Sequence, residues 1–197
     1  GYFLQHQYQT EKLNTQVGIR LEDHEKFGSH TVGQLAARYF FTPSTSLYSN
    51  IGTAFRAPTA NDLYAISWGA NPLLKPEESF SYEVGVGHQI NHNVAIGLSA
   101  YRNQVDNLIT FSNSQLDNVN KATFTGAEFN LDWQYNALFA SLSYAFVQPK
   151  NDQTKQDLTR RPRHSTTLSA GWNDDLFGLT ASVSAKSSST DFADWPS

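Results

Sequence analysis

The chain has 197 residues, a formal net charge of -4 and no cysteine. This excludes a disulfide scaffold and a cysteine-ligated metal centre, and it leaves no basic footprint for nucleic acid. A mean hydropathy of -0.47 and the lack of any apolar run of about eighteen residues exclude a membrane-crossing helix, but not a membrane barrel, whose strands show lipid only every second side chain.

A period of two runs along the chain and predicts about ten strands of about ten residues, the length that crosses a bilayer at a tilt. In chain order the spans are 1–9, 14–23, 31–41, 46–55, 79–89, 94–111, 119–133, 138–148, 163–173 and 177–187. The opening Gly1-Tyr2-Phe3-Leu4 carries neither Met nor a charged leader, so the chain is expected to begin inside a strand. In the second strand Val17, Ile19 and Leu21 alternate with Gly18, Arg20 and Glu22. The clearest alternation follows in the fifth, where Phe80, Tyr82, Val84 and Val86 interleave with Ser81, Glu83, Gly85 and Gly87. Ile96 and Leu98, then Phe129 and Leu131, then Leu142, then Val183 continue one apolar face.

The links between strands are expected to alternate in length. Short turns fall at Thr10–Leu13, Thr42–Thr45, Ile90–Asn93, Gln134–Ala137 and Asn173–Leu176; longer links fall at His24–His30, Arg56–Glu78, Ser112–Asn118 and Pro149–Pro162. Short turns on one rim and long loops on the other is the pattern of bacterial outer-membrane barrels. Aromatics crowd the short turns: Tyr8, Tyr39, Phe40, Phe41, Tyr48, Trp133, Tyr135, Phe139, Trp172 and Phe177 are expected to form an interfacial girdle. The opposite face carries Arg20, Glu22, Arg38, Glu83, Glu128, Asn130 and Asp132. In the dry core of a soluble sandwich each unpaired charge would cost several kcal/mol, whereas a hydrated or protein-filled lumen tolerates them. The fold class is therefore all-β: an antiparallel, up-and-down transmembrane β-barrel.

Motifs narrow the reading. Gly52-Thr53-Ala54-Phe55-Arg56-Ala57-Pro58 is followed by Asn71-Pro72-Leu73-Leu74-Lys75-Pro76-Glu77, then Ser79, Glu83 and Gly85, and later by Asn120 with Gly126-Ala127-Glu128. Three such blocks in order, at strand-compatible spacing, resemble the barrel of TonB-dependent outer-membrane receptors, and most of all the cobalamin-receptor branch. The resemblance covers nearly the whole chain. It implies a plugged barrel of about 22 strands in the bacterial outer membrane, with the TonB protein as partner through a plug segment. Residues 1–197 are then part of the barrel domain, with the plug and about three final strands outside the chain, which ends in an outer loop at Asp194–Ser197.

The resemblance implies active uptake of a corrinoid such as vitamin B12, by a monomeric barrel rather than an enzyme. The alternatives are a ferric-siderophore receptor and, from another class, a passive porin or a structural or adhesive barrel. Tyr64, Trp68 and Asn71 in the longest loop are the candidate ligand contacts. Phe55, Arg56, Pro58, Asn71, Pro72, Pro76, Glu77, Glu83 and Glu128 are the family-motif, lumen-side residues. Arg56 would pair with plug carboxylates or line the ligand route, or else Pro58 and its neighbours simply shape the entry to the loop. Glu83 and Glu128 on neighbouring inward faces fit a plug contact or a polar lumen network better than a glycosidase pair. The run Arg160, Arg161 and Arg163 in an outer loop is a candidate for lipopolysaccharide phosphates, since Arg pairs with phosphate in bidentate fashion. The six histidines show no ligand spacing, no metal or cofactor is assigned to this chain, and calcium is left to the intact receptor.

Overall fold

A computed structural model describes residues 1–112 and 114–189. Its strands form one antiparallel sheet in sequence order: β1 (Tyr2–Gln9), β2 (Leu13–His24), β3 (Gly28–Thr42), β4 (Thr45–Arg56), β5 (Glu77–Asn91), β6 (Val94–Ser112), β7 (Gln115–Tyr135), β8 (Leu138–Asn151), β9 (His164–Asn173) and β10 (Gly178–Lys186). Each strand pairs with the next in the chain, which is the up-and-down order expected. Asp194–Ser197 lie outside the described residues.

Residues directly opposite each other in an antiparallel ladder share a face. One row joins Leu47, Val86, Leu98, Phe129 and Tyr144. The next joins Ile96, Leu131, Leu142, Leu168 and Val183. Among the described residues no second layer covers this apolar face: Leu98 is 57% exposed and Val183 70% exposed. An uncovered apolar surface spanning most of a sheet is untenable in water and natural against lipid chains. The other face is polar, with Arg38, Tyr48, Gly85, Ser99 and Glu128 in one row and Asn50, Glu83, Tyr101 and Gly126 in the next. Tyr48 lies flat across Gly85 and Tyr101 across Gly126, at approaches that leave no room for a Cβ. The missing side chains let these rings cover the strand beside them.

The same parity corrects the girdle. Tyr39, Trp133, Tyr135 and Trp172 share the apolar face. Phe40, Tyr48 and Phe139 instead fall in rows with Ser46, Gly85 and Gly171, on the polar face. Proximity in sequence to a short turn does not fix the face; the period of two does.

Two links expected to be long are short. β2 and β3 pair up to His24–Gly28, and β6 and β7 up to Ser112–Gln115. The strands run on beyond the membrane, and β7 alone has 21 residues where about ten cross a bilayer. The long connections among the outer loops are 57–76 and 152–163. Buried apolar side chains gather at this end: Leu63 and Leu74 in the loop, and Val105, Leu108 and Ala122 on β6 and β7. Asn107 has a left-handed φ of 55°. That breaks the alternation and brings Leu108 into the same cluster as Val105 and Ala122.

Candidate functional site

The loop 57–76 is built locally before it is docked. Pro58 ends the extended run of β4, and Thr59 caps the short helix α1 (Ala60–Tyr64). The Thr59 hydroxyl accepts from the Asp62 N–H at 3.2 Å, and the Asp62 carboxylate accepts from the Thr59 N–H at 2.9 Å, a reciprocal capping box. A 3₁₀ turn (Ile66–Trp68) follows and ends at Gly69, whose φ is 70°. Pro72 lies in the next turn and Pro76 just before β5.

The loop then folds against the tall β6–β7 hairpin. The Leu116 N–H donates to the Gly69 carbonyl at 2.6 Å. The Asn71 amide donates to the Leu116 carbonyl at 3.0 Å, and its oxygen accepts from the Leu73 N–H at 2.9 Å. Asn118 holds the next stretch from both sides: its oxygen accepts from the Lys75 N–H at 2.9 Å, and its amide donates to the Lys75 carbonyl at 3.1 Å and the Asn107 carbonyl at 2.6 Å. At the neck, Arg56 donates to Glu77 at 3.0 Å and stands 3.5 Å from the Asp62 carboxylate. The same Glu77 oxygen accepts from the Ile109 N–H at 2.7 Å.

This arrangement reassigns several sequence candidates. Arg56, Glu77 and Asn71 are scaffold: they hold the loop closed and docked, the Asn71 oxygen being spent inside the loop and its amide nitrogen on the hairpin. Phe55 is not on the lumen side. It pairs with Glu78 in the row that includes Asp106 and Lys121, on the outer face, and its ring stacks on His30 at 3.6 Å. Tyr64 is 60% exposed, with its hydroxyl accepting from Lys26 Nζ at 3.2 Å and the ammonium 5.2 Å from the ring centroid. Trp68 closes the 3₁₀ turn that follows α1. Sequence reading missed Asp62, Asn118 and Lys26. The Thr-x-x-Asp spacing signals the first; the other two act across elements and have no local signature.

On the inner wall Glu83 accepts from the Tyr48 hydroxyl at 3.1 Å, and the Arg38 guanidinium sits 5.2 Å from the Tyr48 centroid. Glu128 lies one strand beyond Tyr101 and one row away. Around Tyr48 and Tyr101 the inner face thus presents the Glu83 and Glu128 carboxylates and the Arg38 guanidinium. Among the described residues, no three His, Asp or Glu side chains come together as cation ligands.

The arginine run does not form one phosphate cradle. Arg163 is bound to Asp157 through both Nε and Nη2. Arg161 stands 5.8 Å over the ring of Phe124, which shares the inner-face row of Ser81 and Asn103. Arg160 adopts a left-handed φ of 59°.

A family model described as "TonB dependent receptor-like, beta-barrel" matches residues 1–197. The vitamin B12 transporter BtuB of Photobacterium profundum is 31% identical over 186 residues, covering 89% of this chain and 30% of that protein. The vitamin B12 transporter BtuB of Vibrio vulnificus is 30% identical over 86% of this chain and 28% of its own length. Among solved structures, a ferric enterobactin receptor mutant from Pseudomonas aeruginosa (PfeA), in complex with enterobactin, superposes with a TM-score of 0.73 at 22% identity, over 92% of this chain and 32% of that one. The chain therefore spans about 30% of the length of the curated relatives it matches.

Proposed function

The chain belongs to the TonB-dependent receptor β-barrel family, and from that premise we propose that it forms part of the wall of an outer-membrane importer whose ligand is a corrinoid of the vitamin B12 type. The supporting observation is the 31% identity to a vitamin B12 transporter across 89% of this chain. The likeness to the enterobactin receptor, at 22% identity, supports the fold and leaves the ligand open. The apolar outer face and polar inner face suit a barrel in the outer membrane with a filled lumen. In this reading, loop 57–76 is a preformed arch over the barrel mouth. Its Arg56–Glu77 neck and Asn118 clamp fix its shape before ligand arrives, so little ordering entropy is lost on binding. Glu83 and Glu128 face the plug, and TonB acts on the plug rather than on this wall.

The test is equilibrium binding to the intact receptor, with cyanocobalamin set against a ferric catecholate. Tight cyanocobalamin binding with no measurable binding of the iron chelate is the expected result. Tight binding of the chelate with weak binding of cyanocobalamin would transfer the protein to the siderophore receptors.

A further inference from the structure

The sheet is not laddered to its outer end everywhere. β3 and β4 pair only as far as Gln34–Gly52. Above that level β3 stays paired with β2 up to Gly28, and β4 stays paired with β5 up to Arg56, so the wall divides into two leaves. The Thr53 hydroxyl stands in for one lost step, accepting from the Gly33 N–H at 2.9 Å. Farther out, side chains carry the contact. The His30 ring stacks on Phe55 at 3.6 Å, and its Nδ1 lies 3.4 Å from the Glu78 carboxylate. Lys26, at the tip of the β2–β3 hairpin, donates to the Tyr64 hydroxyl at 3.2 Å with its ammonium 5.2 Å from that ring centroid. At the base of the split, Gly18 and Gly52 both oppose Gln34, and Gly33 adjoins it. Packing does not require glycine at 33 or 52. A Cβ would stand 3.4 Å from the Gly18 carbonyl oxygen and 3.5 Å from that of Gly33, ordinary contact distances, and neither residue has a left-handed φ. A cavity of about 310 Å³ opens at the same level, against Arg20, Val32, Gln34 and Thr53.

We propose that this split is a seam that opens: the outer ends of β2 and β3 swing away from β4 about the glycine row, and the His30–Phe55 and Lys26–Tyr64 contacts are the latch that holds it shut. Two observations carry it together. A strand-interior glycine that neither a close approach nor a positive φ requires weakens its strand. Two such glycines sit where the pairing stops, the kind of position at which a hinge absorbs its φ/ψ change. Above them a ring stack and a cation–ring contact replace the continuous ladder, and each is weak enough to break and re-form. The neighbouring wall differs: β6 and β7 stay paired up to Ser112–Gln115, and loop 57–76 is docked on them. The arch therefore stays still while the hairpin moves, and opening parts Lys26 from Tyr64 to leave a side entrance beside the arch. The motion lies in the strands of the wall and not in the loop. It rests on the reading of the sheet as a barrel wall and not on the identity of the ligand.

Spin labels on Glu25→Cys and Gln115→Cys in the intact receptor, reconstituted in lipid without ligand, report the distance from the hairpin tip to the β6–β7 turn by pulsed electron paramagnetic resonance. The otherwise native protein is expected to show two distances, the shorter dominant. His30→Ala with Lys26→Gln should raise the ratio of long to short distances about tenfold, the combined worth of a ring stack and a cation–ring contact. Gly33→Ala with Gly52→Ala, for which there is room, should leave the shorter distance alone. A second labelled pair, Glu11→Cys with His92→Cys on the short-turn rim, should give one distance in every background. Heat-modifiable gel mobility controls for assembly. One narrow tip distance in the native and latch-free backgrounds alike would overturn the seam. So would a long distance undiminished by the glycine substitutions, or a rim pair that broadens together with the tip pair, since the motion would then belong to the whole wall. Because no ligand is present, weak binding of cyanocobalamin would leave the result standing. Failure of the receptor to insert into lipid at all would instead overturn the barrel reading on which the seam rests.

Discussion

Arg56 and Glu77 close the longest loop at its neck, the guanidinium donating to the carboxylate at 3.0 Å across 21 positions of sequence. The pair is asymmetric. The Arg56 side chain is 52% exposed and that of Glu77 14% exposed, and the Glu77 oxygen also accepts from the Ile109 N–H. The carboxylate therefore ties three segments together: the end of β4, the start of β5 and the kinked region of β6.

Glu77→Ala should loosen the loop more than Arg56→Ala does. Removing the carboxylate strands the Ile109 N–H as well as the guanidinium, at a cost of about 1–3 kcal/mol. Removing the half-exposed guanidinium costs about 1 kcal/mol or less. Hydrogen exchange of residues 57–76 in the assembled receptor reads the difference. Equal protection in both variants and the wild type would show that the loop is held by its apolar contacts, Leu63 and Leu74, alone.

Gly69→Ala tests the docking of the loop on the hairpin from the backbone side. A Cβ there would meet Phe111 Cε2 and the Ser114 carbonyl at 2.8 Å each, at a φ of 70°. Strain and clash together should cost about 2 kcal/mol or more. Limited proteolysis is expected to cut the variant within 57–76 while the barrel keeps its heat-modifiable mobility. Resistance equal to wild type would mean that the hairpin shifts to accommodate the methyl.

What was legible in the sequence follows from where information is local. The alternation that puts Val84 outward and Glu83 inward needs only the period of two, and it runs through the paired rows of the sheet apart from the register shifts near Phe40 and Gln89 and the switch at Asn107. Short turns were legible from strand ends. The loop ends were not, because strands that rise above the membrane need no apolar residues: Thr110 and Asp117 pair as readily as Leu98 and Phe129. The switch at Asn107 was hidden too, since an asparagine in the left-handed region looks like any polar strand residue until its φ is known. At the site, the motif residues were found but their roles were not. Asn71 read as a ligand contact, and Arg56 as a group that meets the plug or shapes the entry to the loop; only the tertiary partners Glu77, Asp62 and Leu116 show what each of them holds.

A pH effect is expected at the opposite rim. In the β9–β10 turn the Asp174 carboxylate accepts from the N–H groups of Phe177 and Leu176 and from the Trp172 indole. Those donors, Phe177 first, hold it below the ordinary carboxylate range. A carboxylate depressed in the folded state contributes order above its unfolded pKa and loses it as pH falls through the lower folded value. Trp172 emission should therefore be constant from neutral pH down to about pH 4 and change below it. Asp174→Asn, which keeps a neutral acceptor for the two backbone N–H groups, should flatten that change. An identical acid transition in the variant would place its origin elsewhere.

The last expectation concerns ligand. Tyr64 and Trp68 remain the aromatic candidates on an arch that is otherwise committed to its own structure. Tyr64→Ala with Trp68→Ala should weaken cyanocobalamin binding by the intact receptor about thirtyfold, the roughly 2 kcal/mol typical of losing a good anchor. The control is Tyr64→Phe. It keeps the ring and removes only the bond from Lys26 Nζ, so affinity should stay within about threefold of wild type. Asn71→Ala separates contact from scaffold: it should raise hydrogen exchange at Leu116 together with any loss of affinity, whereas the aromatic pair should change affinity with Leu116 still protected. Equilibrium binding, with heat-modifiable mobility to confirm assembly, decides among these. Unchanged affinity in an assembled double variant would take loop 57–76 out of the ligand site. A loss in Tyr64→Phe as large as in the double variant would make the Lys26 tether, and not the aromatic surface, the feature that matters.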